Sequence, residues 1–142
     1  RKLEAATVAY AQPGEMQPER DYSYQADGRA EVVRMLGRPG RRTARWFSFV
    51  LPVEPERPMT LIVTYNHAEW RRRTFEIQID GKRLAKQAIE QRGPVEFFDV
   101  EYAIPPELIS DKKKVTVRFQ ATDGNETGGV FGIRMIRADA PR

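Results

Sequence analysis

The stretch Thr74–Ile104, TFEIQIDGKRLAKQAIEQRGPVEFFDVEYAI, decides the fold class. Phe75, Ile77 and Ile79 alternate with Thr74, Glu76 and Gln78, the period of a strand with one buried face, and Asp80-Gly81 follows at once. An Asp-Gly pair suits a two-residue hairpin turn because both positions need φ > 0, which Gly takes freely and Asp tolerates. Such a turn sets Ile79 opposite Lys82 and Ile77 opposite Leu84. After Gly93-Pro94 the alternation resumes, with Phe98, Val100, Tyr102 and Ile104 on one face and Asp99 and Glu101 on the other, until Pro105-Pro106 forbids further ladder bonds. Three antiparallel strands sharing an apolar face are expected, and that face needs a second sheet to cover it.

The flanking sequence supplies strands of the same kind. Met59–Asn66 (MTLIVTYN) carries Leu61, Val63 and Tyr65 on one face. Arg45–Leu51 puts Phe47, Phe49 and Leu51 on one side and Trp46, Ser48 and Val50 on the other, so one face could carry an aromatic ring outward. Lys114–Thr122 turns Val115, Val117, Phe119 and Ala121 inward, and Val130–Ile136 alternates Phe131, Ile133 and Met135 with Gly132 and Arg134. Ala30–Leu36 reads as a further strand, followed by a charged loop, GRPGRRTAR, while PPELIS reads as one helical turn plugging the core with Leu108 and Ile109. Short strands at even spacing, separated by Gly/Pro turns, give an all-β reading: an antiparallel β-sandwich of jelly-roll, galactose-binding-like type. Residues 1–28 read as a linker or extended arm with one short strand near Thr7–Tyr10, residues 29–138 as the sandwich, and 139–142 as a tail.

With 142 residues, 40% hydrophobic and 31% charged, the chain fits one domain with a sizeable core. No apolar run approaches the roughly 20 residues of a membrane-spanning helix, so no membrane role is expected. Arg outnumbers Lys by 18 to 6, and the net charge is +4. The basic clusters fall in or beside loops, however, and read as solvated surface rather than as a nucleic-acid footprint. The chain starts at Arg1 without an initiator Met, as expected of a domain cut from a longer protein. Its sequence leaves the oligomeric state open.

Catalytic signatures are thin. Zero cysteines exclude thiolate nucleophiles and Cys-ligated zinc, and the one histidine, His67, cannot form a His cluster. No Ser sits in a G-x-S-x-G turn, and no spacing singles out a carboxylate pair. Two loops remain as recognition candidates. Asn66, His67, Glu69, Trp70 and Arg71 combine planar polar groups with an indole, which can stack on a sugar ring while its neighbours bond hydroxyls. Asp123, Asn125 and Glu126, with Thr127, offer hard oxygens that could hold Ca²⁺, although Asp-Gly-Asn and Gly-Gly also form turns without help.

The succession RWFSFVLPVEPERP, TLIVTYN, FEIQIDGKRLAKQ, VEFFDVEYAIPPELI and KVTVRFQATDGNETGGVFGIRMIR resembles the C-terminal β-sandwich module of bacterial glycoside hydrolase family 127 proteins, which include β-L-arabinofuranosidases. The resemblance covers residues 15–137, and GEMQPERDY resembles the approach to that module. It implies a carbohydrate-active parent whose catalysis lies on an upstream domain with a cysteine, glutamates and cysteine-ligated zinc; the compartment is left open, the periplasm or the exterior of the cell being favoured for the parent. None of those residues carries over to a chain without cysteine. The resemblance therefore implies a non-catalytic carbohydrate-binding module or, alternatively, a brace that packs on the catalytic domain or mediates dimerisation without binding glycan. The sequence departs from the family pattern at NHAEWRRR, Asn66–Arg73, where a shorter Gly-containing loop is expected.

Overall fold

A computed structural model describes residues 2–90 and 93–141. The chain runs α1 (Lys2–Ala6), β1 (Thr7–Ala11), α2 (Met16–Asp21), β2 (Gln25–Ala26), β3 (Glu31–Met35), β4 (Arg38–Arg42), β5 (Trp46–Pro52), β6 (Met59–Asn66), β7 (Arg73–Ile79), β8 (Lys82–Ile89), β9 (Phe97–Ala103), a 3₁₀ turn (Pro106–Leu108), β10 (Lys114–Ala121) and β11 (Gly132–Arg137). Two antiparallel sheets face each other, ordered β1-β11-β6-β9 and β2-β5-β10-β7-β8, with β3-β4 as a separate ribbon. From β5 onward the chain alternates between the two sheets except at the β7–β8 hairpin, the winding of a jelly roll.

The inward-facing residues are those the alternation picks out. Phe47, Phe49 and Leu51, Phe75, Ile77 and Ile79, and Val115, Val117 and Phe119 meet Leu61, Val63, Tyr65, Ile133 and Met135 in one core, all of them buried. Tyr65 and Tyr102 join their hydroxyls at 2.7 Å, and Tyr102 donates to Gln87 Oε1 at 2.7 Å, tying β6 and β9 to β8 across the sandwich. Burial pushes both phenols well above the usual tyrosine range.

The central hairpin forms as expected at its turn, with φ of +48° at Asp80 and +82° at Gly81 and Ile79 opposite Lys82. One step further the register differs: a bulge between Ile77 and Gln78 sets Ile77 opposite Ala85 instead of Leu84. Asp80 also fastens the turn to β10, taking the Thr116 N–H at 2.8 Å and Lys112 Nζ at 2.7 Å. Burial works to raise the Asp80 carboxyl, but the bonds from Lys112 and Thr116 outweigh it and hold the group below the usual aspartate range. A depressed folded value means that the stability due to ionised Asp80 is present above the ordinary aspartate pKa and lost as pH falls through the folded one. Asp80→Asn should therefore lower stability at pH 7 by about 0.5–1.5 kcal/mol, a deficit that shrinks as pH drops below about 4. Urea unfolding of both proteins at pH 7 and pH 3 measures it, and a constant deficit would contradict the assignment.

The third strand of the opening stretch has the expected inward face, with Tyr102 buried, but it is not a third strand of the hairpin's sheet. β9 pairs with β6 in the opposite sheet, from Thr60–Ala103 to Asn66–Phe97. The connection after Ile89, with Gly93-Pro94, is long enough to cross the roughly 10 Å between sandwich layers, and β8 is left as an edge bearing Lys82, Arg83 and Lys86. Two other stretches carry more structure than the sequence suggests. Arg38–Arg42, read as loop, is β4, joined to β3 by a turn with φ of +50° at Leu36 and +77° at Gly37. Within residues 1–28, β1 is an edge strand on β11 whose Ala9 and Ala11 enter the core, and Glu19 on α2 holds Arg41 through two bonds of 2.8 Å.

Candidate functional site

The alternation of β7 continues one residue further back than its apolar run. Arg73 shares the inward parity of Phe75, Ile77 and Ile79 and is fully buried, an expensive place for a cation unless acids meet it. They come from the two loops singled out in the sequence. Glu69, 1% exposed, accepts from Arg73 Nε at 3.2 Å, and Glu126 accepts from Arg73 Nη1 at 2.9 Å. Glu69 also takes the Gly129 N–H at 2.8 Å, so the glycine pair after Thr127 brings its backbone up to the carboxylate. Outward from Glu126 the charges continue to Arg42 at 3.7 Å and from Arg42 to Glu31 at 2.7 Å, where the Arg42 bond holds the Glu31 carboxyl below its usual range. Arg73 Nη2 is buried and has no hydrogen-bond partner among the described residues.

Trp70 lies over this buried network. Its side chain is 66% exposed, with the Arg73 guanidinium 5.1 Å and the Arg71 guanidinium 4.9 Å from the ring centroid. Arg73 is fixed by its two acids, whereas Arg71 is exposed. His67 stacks on Phe98 at 4.2 Å with the rings 15° apart, and both line a concavity of about 390 Å³ with Arg72, Ile89 and Glu90. Asn66 is a structural residue here: fully buried, it accepts the Ala68 N–H at 2.9 Å and the Glu96 N–H at 3.2 Å, leaving Nδ2 without a partner among the described residues.

The structure thus joins the two candidate loops, but at Glu69 and Glu126 rather than across an open cleft. The oxygens considered for Ca²⁺ are not gathered. Asn125 Oδ1 is spent on the Glu126 N–H at 2.8 Å, and Glu126 lies between Arg73 and Arg42, whose charges oppose a cation. Among the described residues no group of three or more His, Cys, Asp or Glu is placed to hold a metal ion. Arg73 is the residue that sequence reasoning missed. The triple arginine reads as solvated charge, yet β7 begins at Arg73, and counting back by twos from Ile79 puts that first residue on the core face; Arg71 shares the parity but precedes the strand and is exposed.

The family model described as "Family of unknown function (DUF6805)" matches residues 2–136. The chain belongs to this family. No curated protein sequence matches this DUF6805 chain. Its fold does have relatives among solved structures. A family 35 carbohydrate-binding module from Clostridium thermocellum superposes with a TM-score of 0.58 at 12% identity, over 92% of this chain and 98% of that one. The carbohydrate-binding module CBM36 in complex with calcium and xylotriose gives 0.58 at 10% identity, over 90% and 99%. The CBM22-1 xylan-binding domain from Paenibacillus barcinonensis Xyn10C gives 0.59 at 10% identity, over 95% and 96%. At such identities the shared property is the β-sandwich, and the DUF6805 chain spans nearly all of each module.

Proposed function

We propose that this DUF6805 domain is a non-catalytic carbohydrate-binding module, accessory to a glycoside hydrolase of the family 127 type that is exported from the cell. The observation that carries the reading is the exposed Trp70 ring, seated on a buried and immobilised Arg73. An indole held rigid at the surface loses little entropy when a sugar stacks on it, and the polar groups around it suit sugar hydroxyls. The adjoining concavity at His67, Phe98 and Arg72 is of a size for a further sugar unit. Modules of the same fold that bind xylotriose or xylan, and the string of family-127-like phrases in the sequence, support the substrate class.

The test is an NMR titration with arabinose-, galactose- and xylose-containing oligosaccharides. Saturable shifts on residues 66–73 are expected. Trp70→Ala should abolish them while changing unfolding stability by no more than about 0.5 kcal/mol, since Trp70 contributes little to the core. Equal loss of stability and binding would make Trp70 a structural cap.

A second reading is a brace on a neighbouring domain. Trp46 is covered by the Arg118 guanidinium at 3.8 Å, and Phe47 on the opposite face of β5 is buried in the core, so neither supplies an exposed aromatic patch. Exposed apolar side chains instead occupy the β3–β4 ribbon, with Val32 46% and Leu36 72% exposed. A flat sugar titration, together with protection of the ribbon from hydrogen exchange in the longer parent protein, would favour the brace.

A further inference from the structure

The outer face of the four-stranded sheet is covered at one end only. There α1 lays Leu3 and Ala6 against Ile62 and Ile136. Towards the other end Tyr10 pairs with Arg134, and Thr64 pairs with both Gly132 and Asp99, which sets these five residues side by side on the outer surface. Arg38 reaches in from β4, and Tyr10, Arg38, Thr64, Phe97, Asp99 and Arg134 line a concavity of about 320 Å³. Gly132 is buried beneath the bond between Arg38 and Tyr10. A Cβ at that position would come within 2.7 Å of Arg38 Nη2 and 2.8 Å of Tyr10 Oη, so any side chain there would displace them.

Two guanidinium groups are fixed in this hollow by aromatic rings rather than by acids. Arg134 sits 4.5 Å over the Tyr10 ring and Arg38 5.2 Å over Phe97. Arg38 Nη2 donates to Tyr10 Oη at 2.8 Å and Nε to Gln12 Oε1 at 3.4 Å, while Arg134 Nη1 donates to Thr7 Oγ1 at 3.0 Å. Among the described residues neither forms an ion pair, whereas Arg41, Arg42, Arg57, Arg73 and Arg137 all do. The one acid in the hollow, Asp99, accepts from Thr64 Oγ1 at 2.6 Å and keeps its other oxygen for an incoming hydroxyl.

Positioned guanidinium groups without a counter-charge recognise carboxylates through charge-assisted bonds, and a carboxylate beside them accepts hydroxyl protons. We propose that this hollow is a second binding site, separate from the Trp70 loop, for a sugar bearing a carboxylate, with that carboxylate on Arg38 and Arg134 and a ring hydroxyl on Asp99. A neutral sugar leaves both cations unmet. A simple carboxylate such as acetate leaves Asp99 unused.

The experiment is a ¹⁵N NMR titration of the chain at fixed ionic strength with glucuronate and galacturonate, against glucose, galactose and acetate. Saturable shifts at Thr64, Asp99, Gly132 and Arg134 are expected with a uronate, at an affinity about tenfold or more above that for the neutral sugars and for acetate. Arg134→Gln should remove most of that affinity while the spectrum stays folded, Gly132→Ala should do the same by displacing Arg38 and Tyr10, and Trp70→Ala should leave it intact. If Gly132→Ala fails to fold, Arg134→Gln alone decides. Equal response to acetate, equal response to neutral sugar, or no saturable shift at these four residues overturns the proposal. Loss of uronate binding in Trp70→Ala overturns the separateness of the two sites, and failure of neutral oligosaccharides at Trp70 leaves the uronate outcome readable on its own.

Discussion

Arg73→Ala should destabilise the domain by about 3–5 kcal/mol in urea unfolding followed by circular dichroism, a loss that no other surface-loop substitution here should approach. The reason is what remains after the guanidinium is gone. Glu69 stays buried with the Gly129 N–H as its partner, Glu126 loses its 2.9 Å bond, and the join between the Asn66–Arg73 loop and the loop after β10 comes apart. A buried charge without its counter-charge costs far more than a surface pair is worth. The exposed neighbour supplies the control: Arg71→Ala should cost no more than about 0.5 kcal/mol. Comparable small effects at both positions would mean that the Glu69–Arg73–Glu126 network does not hold the loops. A double-mutant cycle between Arg73 and Glu69 should return a coupling of about 0.5–3 kcal/mol.

Phe119→Ala should cost about 3–5 kcal/mol for a different reason, cavity formation in the core. Phe119 sits on β10, in the middle of the five-stranded sheet, between Phe47 and Ile77 on the adjoining strands, and its ring stacks on Phe47 at 5.1 Å. Neither neighbour can collapse into the space without leaving its own strand register. Phe98, on β9, is half-buried and faces solvent on one side, so Phe98→Ala should cost less than Phe119→Ala in the same assay. The reverse order would show that the core is centred elsewhere.

Side-chain alternation carried much of the fold in plain view. It selected Phe47, Leu61, Val63, Ile77, Val117 and Ile133 as core residues because a strand's period of two is local and survives any topology. Which sheet a strand joins is not local. β9 has the same alternation whether it extends the β7–β8 hairpin or crosses to β6, and only the length of the connection argues for the crossing. The partner of β3 was hidden for another reason: the turn between them places a leucine, Leu36, at positive φ, where turn chemistry would look for Asn or Asp, and β4 itself is rich in arginine. At the site, Trp70 and the two loops were legible as residue types. Their join was not, because Glu69 and Glu126 meet through an arginine whose burial depends on β7 starting at Arg73 and not at a later residue. The outer-face hollow left no mark at all, since it depends on Arg38 arriving from another element to lie over Gly132 against Tyr10.

The pairing of β1 with β11 has a mechanical consequence. Because Thr7 lies opposite Ile136 in an antiparallel ladder, the two ends of the chain leave the sandwich from the same corner. Tension applied between them would act across that ladder and open its bonds one pair after another, like a zipper, instead of loading them all at once in shear. The strand would peel from Thr7 toward Ala11 at low force while the other sheet stayed assembled, so a domain tethered at both ends would yield first at the edge beside the hollow and last at β10.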